Sequence, residues 1–163
     1  MGPRIIDTNV PIAANGREGG SLACRLAAID WLQAFLQTGT LVLDDQFRIL
    51  TEYDRYLNNH GQPGTGDEFY KWVLVNMHNT SRCHQLPLEE PAPKEFSIFP
   101  PDEALASFDL SDRKFVALCL THAEHPPVVV AGDRGWRRHE AALRPHGVLV
   151  EFLCADATTY SRK

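Results

Sequence analysis

Nowhere in the 163 residues does an apolar run approach the roughly 20 residues needed to span a bilayer before a charge interrupts it, and the N-terminus enters a strand-like segment without a signal-like core. A membrane protein is not expected; a soluble, cytoplasmic one is. A basic excess is missing too. The formal net charge of −5 argues against a chain that coats nucleic acid electrostatically. It leaves room for a nuclease, whose acidic metal site contributes negative charge and whose bound ions reverse the local potential. Cys24, Cys83, Cys119 and Cys154 form no Cys-x-x-Cys pair, so a zinc or redox motif is not indicated and reduced, mostly buried thiols are expected. The seven histidines include no His-x-x-x-His pair, and His122 and His125 read as a helix end. Gly64-Thr65-Gly66 follows no strand, no Gly-x-x-x-x-Gly-Lys-Ser/Thr loop occurs, and no serine has a convincing His and Asp partner. Internal repeats, low-complexity tracts and an interdomain linker are also absent, which predicts a single domain over 1–163.

What is present is a 44% hydrophobic chain, long enough for one sizeable core, with strand-like and helix-like segments in alternation. Arg4 to Thr8 reads as a first strand. After a Gly-rich turn at Asn15 to Gly20, Ser21 caps a helix to about Thr38. Leu41-Val42-Leu43 makes a second strand, followed by a helix from about Gln46 to Asn59 that ends before Gly61, and by another from Asp67 to about Asn79. Residues 80–101 lose periodicity and hold Pro87, Pro91, Pro93, Pro100 and Pro101, so they form a long connection with room for one short strand near His84 to Leu88. Pattern returns at Asp102 to Phe108, with a helix from Ser111 to about Glu124, a strand at Val128 to Ala131, a helix from about Trp136 to Leu143 and a last strand at Val148 to Leu153. Near-continuous apolar strands alternating with helices predict a three-layer α/β/α sandwich around a mainly parallel sheet of four to five strands.

Four acids sit where such a fold converges strand ends and helix starts: Asp7, Glu52, Asp112 and Asp133. Two unpaired carboxylates about 4 Å apart repel by roughly 4 kcal/mol at an effective dielectric near 20, so a cluster needs a cation, a proton or a basic partner. Mg²⁺ or Mn²⁺ is the simplest choice. For Glu52 the competing reading is an i,i+4 pair with Arg48; for Asp7 and Asp133 it is an ordinary loop acid. Asp112 shares a helix face with Val116, Cys119 and Ala123, which favours a metal role over a dipole contact. Asp45 is a supporting acid or an N-cap, and Asp109 is either a rival to Asp112 or the cap of its turn. Arg113, Lys114, Arg134, Arg137 and Arg138 are candidate phosphate contacts or a solvated face, and Trp136 stacks a base or packs in the core. The Asp44-Asp45 pair also invites a phospho-accepting receiver domain, but no lysine follows a late strand.

Ile5-Ile6-Asp7-Thr8-Asn9-Val10, Ile49-Leu50-Thr51-Glu52-Tyr53, Ser111-Asp112-Arg113-Lys114-Phe115-Val116-Ala117 and Val130-Ala131-Gly132-Asp133 together resemble the PIN domain, the fold of many small metal-dependent ribonucleases. The resemblance spans nearly the whole chain in the same order. It implies that Asp7, Glu52, Asp112 and Asp133 bind one or two divalent ions, that Asn9 supports the first Asp, and that the activity is endoribonucleolytic hydrolysis of single-stranded or structured RNA. The chain departs from the family at Gly135, where another acid is common. Alternatives within the fold are the toxin of a toxin–antitoxin pair, with an antitoxin peptide in the acidic pocket, and a catalytically silent protein-binding module. The Asp67 to Asn79 helix is a candidate homodimer surface.

Overall fold

A computed structural model describes residues 1–17, 20–60 and 64–154; Glu18, Gly19 and Gly61, within or beside expected turns, lie outside the described residues. Five strands, β1 (Pro3–Ile6), β2 (Thr40–Asp44), β3 (Cys83–Leu86), β4 (Val128–Val130) and β5 (Val150–Phe152), form one sheet in the order β3-β2-β1-β4-β5. Every pairing is parallel, with Arg4 opposite Leu41, Ile6 opposite Val129, Leu43 opposite Gln85 and Val128 opposite Val150. Among the described residues six α-helices connect them: α1 (Asn9–Ala14), α2 (Leu22–Thr38), α3 (Arg48–Tyr56), α4 (Thr65–Asn76), α5 (Arg113–Thr121) and α6 (Arg134–Leu143). The α/β sandwich expected from alternation is therefore what the chain forms. Among the described residues no helix is long and apolar enough to cross a membrane.

Local chemistry explains the boundaries. The Ser21 hydroxyl accepts the Cys24 N–H and starts α2 as expected. Helix α3 starts later than its periodicity predicted, because Phe47 adopts a left-handed conformation (φ 59°) and the buried Asp44 carboxylate, not Asp45, receives the Arg48 and Ile49 N–H groups. Before α5, the exposed Asp109 carboxylate takes the Ser111 N–H at 2.7 Å and caps a 3₁₀ turn over Leu110–Asp112. Asp109 is thus a cap and not a rival to Asp112. Helix α1, unrecognised in the sequence because it follows Asp7 with only one intervening residue, turns the chain immediately beyond β1 and is buried along its length.

The core gathers Ile5, Ile6, Val42, Phe35, Phe69, Phe115 and Trp136 at full burial. Phe69 meets Phe35 and Tyr53 edge-on, locking α4 over α2 and α3. Two cysteines depart from expectation. Cys24 of α2 and Cys154 beyond β5 form a disulfide with Cα atoms 5.0 Å apart across 130 positions, a proximity that linear spacing conceals. Cys83 and Cys119 are buried free thiols, whose pKa burial pushes up to about 12, so they are poor nucleophiles.

Opening so long a loop constraint is expected to destabilise the fold by about 2–4 kcal/mol. Urea unfolding of the oxidised protein against the Cys154→Ser variant measures it, and identical midpoints would mean that the bond contributes nothing.

A second expectation concerns pH. His84 Nδ1 and His122 Nε2 lie 3.0 Å apart, and burial followed by the His84 ring holds the His122 imidazole below its ordinary 6.5, against an opposing pull from Glu124. The unfolded chain takes up this proton at 6.5 and the folded one at lower pH. Stability from the neutral pair is therefore complete above pH 6.5 and falls as pH drops below it. The urea midpoint of the wild type should fall between about pH 7.5 and 5.5, and His122→Gln should flatten part of that fall.

Candidate functional site

Strand β1 is central, and its two neighbours are reached by connections running in opposite directions, which makes the β1/β4 boundary the switch point where open α/β sheets bind ligands. Asp7 leaves β1 at that boundary and is fully buried. Its backbone N–H donates to Val129 O at 3.0 Å, so the strand continues the β1/β4 pairing up to this residue. One carboxylate oxygen accepts the Asn9 N–H (3.1 Å) and the other accepts the indole N–H of Trp136 (2.7 Å). Trp136 is therefore neither a stacking platform nor only core filling. It comes from the first turn of α6, and it aims Asp7.

Asn9 supports the same corner from the other side. Its side-chain oxygen accepts the Ala131 N–H at 3.0 Å, tying the end of β4 to the start of α1, while its Nδ2 is a buried donor with no hydrogen-bond partner. Tyr53 of α3 donates its hydroxyl to Ile6 O at 2.6 Å. Burial, then the nearby negative charges of Asp7 and Glu52, raise the Tyr53 pKa far above its ordinary value, so it stays a neutral donor at this rim.

Glu52 does not pair with Arg48, which turns instead to Asp44 (3.2 Å) and Glu90 (2.9 Å). One Glu52 oxygen accepts the Thr8 hydroxyl, and the other meets the Lys114 ammonium at 3.0 Å, with only 11% and 12% of the two side chains exposed. Lys114, expected as a phosphate contact or as part of a solvated helix face, is here the ion-pair partner of Glu52. Asp112 is buried where its 3₁₀ turn hands over to α5, two residues before Lys114. Asp133, half-buried, caps α6 by accepting the Gly135 N–H at 2.7 Å, and a Cβ at Gly135 would lie only 3.0 Å from that carboxylate.

Other expected residues go elsewhere. Arg113 donates to the carbonyls of Ala106 and Phe108 and stacks 4.5 Å over Phe99, while Arg137 donates to Cys154 O and lies 4.3 Å over Phe152, so both fasten segments of the fold to one another. Arg134 and Arg138 are exposed. Asp45 is half-buried in the turn beyond β2, with its carboxylate beside the Gln46 amide. Trp136, Thr8 and Asp44 are the residues that sequence reading missed as part of this rim. Trp136 stood three residues after Asp133 on the same helix turn, which was the available signal.

The carboxylates of Asp7, Glu52, Asp112 and Asp133 are hard oxygen donors of the class that suits Mg²⁺ or Mn²⁺, and the orphan Asn9 Nδ2 leaves a buried N–H for an oxygen ligand. Among the described residues, however, no three or more His, Cys, Asp and Glu side chains are grouped closely enough to hold an ion as they stand. The donor chemistry of these residues fits such an ion. No protein-family model, curated protein or solved structure matches the chain.

Trp136→Phe keeps an aromatic ring at that place but removes the indole N–H that Asp7 accepts, which is expected to cost about 1–3 kcal/mol in urea unfolding. In Asp7→Asn the two losses should be less than additive with Trp136→Phe, since they share one contact. Full additivity would show that the indole does not hold the carboxylate.

Proposed function

We propose that the chain is a divalent-metal-dependent endoribonuclease of the PIN type, hydrolysing phosphodiester bonds at the end of β1. The observation that carries this reading is Asp7: a carboxylate with no solvent access, at the switch point of a parallel sheet, oriented by two neutral donors. Burying a carboxylate costs several kcal/mol unless charge or hydrogen bonds answer it, and a divalent ion at this place would add positive charge to the hydrogen bonds already there. Asp7, Glu52, Asp112 and Asp133 would hold the ion. Once bound, Mg²⁺ or Mn²⁺ supplies polarisation of a water and stabilisation of the leaving oxygen.

The chain's own residues supply the rest. Trp136 and the Asn9 N–H set the direction of Asp7, Tyr53 braces the β1 end, and Asn9 Nδ2 offers a donor to an incoming oxygen. Lys114 neutralises Glu52 and places an ammonium at the rim, where a phosphate would be met by positive charge. No protein nucleophile is required. RNA in preference to DNA rests on the resemblance alone.

A second reading is favoured by the Glu52–Lys114 bridge: a catalytically silent module that uses the rim to bind protein. An antitoxin-partnered toxin would share the nuclease chemistry.

Labelled single-stranded RNA incubated with purified protein and Mn²⁺ should be cleaved, and chelation should abolish cleavage. Asp7→Asn and Asp112→Asn should each lower the rate on the order of 100-fold or more. Equal cleavage by all three proteins would expose a contaminant, and no cleavage by any would favour the binding module.

A further inference from the structure

Beside the carboxylate rim, between α3, the proline-rich connection after β3 and the turn before α5, lies a cavity of about 280 Å³. Four cations line it, Arg48, Arg55, Lys94 and Lys114, against two carboxylates, Glu52 and Glu90. In a chain of net charge −5 that local excess is out of character. Arg48 is satisfied by Asp44 and Glu90, and Lys114 by Glu52. Glu90 is already engaged elsewhere: one oxygen accepts from Arg48 and the second accepts the backbone N–H of Lys94 at 2.7 Å. Among the described residues Arg55 and Lys94 face the hollow without a carboxylate ion pair, and the Lys94 ammonium donates to the Ser111 hydroxyl at 3.4 Å. Phe96 forms part of the wall, and the exposed Leu110 offers an apolar surface at the edge.

We infer that this cavity is a subsite for one nucleotide of a single-stranded RNA, its phosphate held by Arg55 and Lys94, with the strand continuing past Lys114 to the carboxylate rim; the inference rests on the nuclease reading and names where its substrate lies. The volume falls just below the roughly 300–1,000 Å³ of drug-sized ligand sites, which suits a single nucleotide unit and not a folded domain. These two long cations match an anion whose charge is delocalised over several oxygens. The cavity shares Glu52 and Lys114 with the rim, so a strand lying in it is delivered to the place where hydrolysis is proposed. The apolar Leu110 surface and the Phe96 wall fit a ribose or base, and a purely inorganic anion would leave them unused. Residues 80–101, unreadable from their sequence, acquire a role: they bring Glu90, Lys94 and Phe96 to this wall.

The test separates binding from cleavage. Fluorescence anisotropy of a fluorescein-labelled single-stranded RNA of about 12 nucleotides, in EDTA so that nothing is cut, is followed across a salt series for the wild type, Arg55→Gln, Lys94→Gln, the double variant and Lys71→Gln. Each single variant should bind several-fold more weakly and lower the slope of log K against log salt by about 0.7, the double by about twice that. Lys71→Gln, on the exposed side of α4, should match the wild type. Unchanged affinity and slope in the double variant would overturn the subsite, as would equal competition by an acidic peptide of the same charge. Metal-dependent cleavage with binding indifferent to Arg55 and Lys94 would remove the subsite and keep the nuclease. Binding that depends on both, with no cleavage in Mn²⁺, would do the reverse.

Discussion

Asp7 is a carboxylate held out of water, and the interior accepts it because donors converge on it from segments far apart in the chain. One donor is local, the Asn9 N–H at the start of α1. The other, the Trp136 indole, arrives from 129 positions away. For that indole to reach the end of β1, β4 must lie beside β1 and α6 must turn back across the sheet edge. The Ala131 N–H on Asn9 Oδ1 and the Asp7 N–H on Val129 O secure that placement. Satisfying one buried acid therefore constrains the sheet order, the turn after β1 and the entry angle of α6.

Thr8 links this arrangement to a second one. Its hydroxyl meets Glu52, whose other oxygen meets Lys114, so the three consecutive residues 7 to 9 contact α3, α6 and the end of β4, and through Glu52 reach α5. Outside the Glu52–Lys114 bridge the sign of the surface changes, and Arg55 and Lys94 face a hollow that the net charge of −5 would not suggest. Summed charge describes the molecule at a distance; a strand approaching the rim meets the local field. On the proposed function, acid inside and base outside would first attract a phosphodiester and then place it for hydrolysis.

Much of this was legible in residue order. Continuous apolar runs such as Val128-Val129-Val130 announced buried parallel strands, and Ser21 announced the start of α2. Asp7 and Asp133 were readable as acids just beyond strand ends, because an apolar run followed by a polar turn has a sequence signature. Partner identity was not. Asp44 and Asp45 are adjacent and chemically alike, yet only Asp44 caps α3, because the left-handed Phe47 decides which carboxylate faces the helix start. Arg113 and Lys114 are likewise adjacent, and a helix turn sends one to the carbonyls of Ala106 and Phe108 and the other to Glu52.

By itself the amino-acid sequence determined the alternation of strands and helices, the parallel sheet and the positions of the acids, since these depend on hydrophobic periodicity and capping within a few residues. The tertiary structure alone decided that Cys24 meets Cys154, that Trp136 aims Asp7, that Lys114 neutralises Glu52, and that the proline-rich connection walls a basic hollow. The physical reason is range. Periodicity acts over one or two helical turns, whereas pairing between residues 62, 129 or 130 positions apart is set by how the finished layers pack, and no local pattern encodes that.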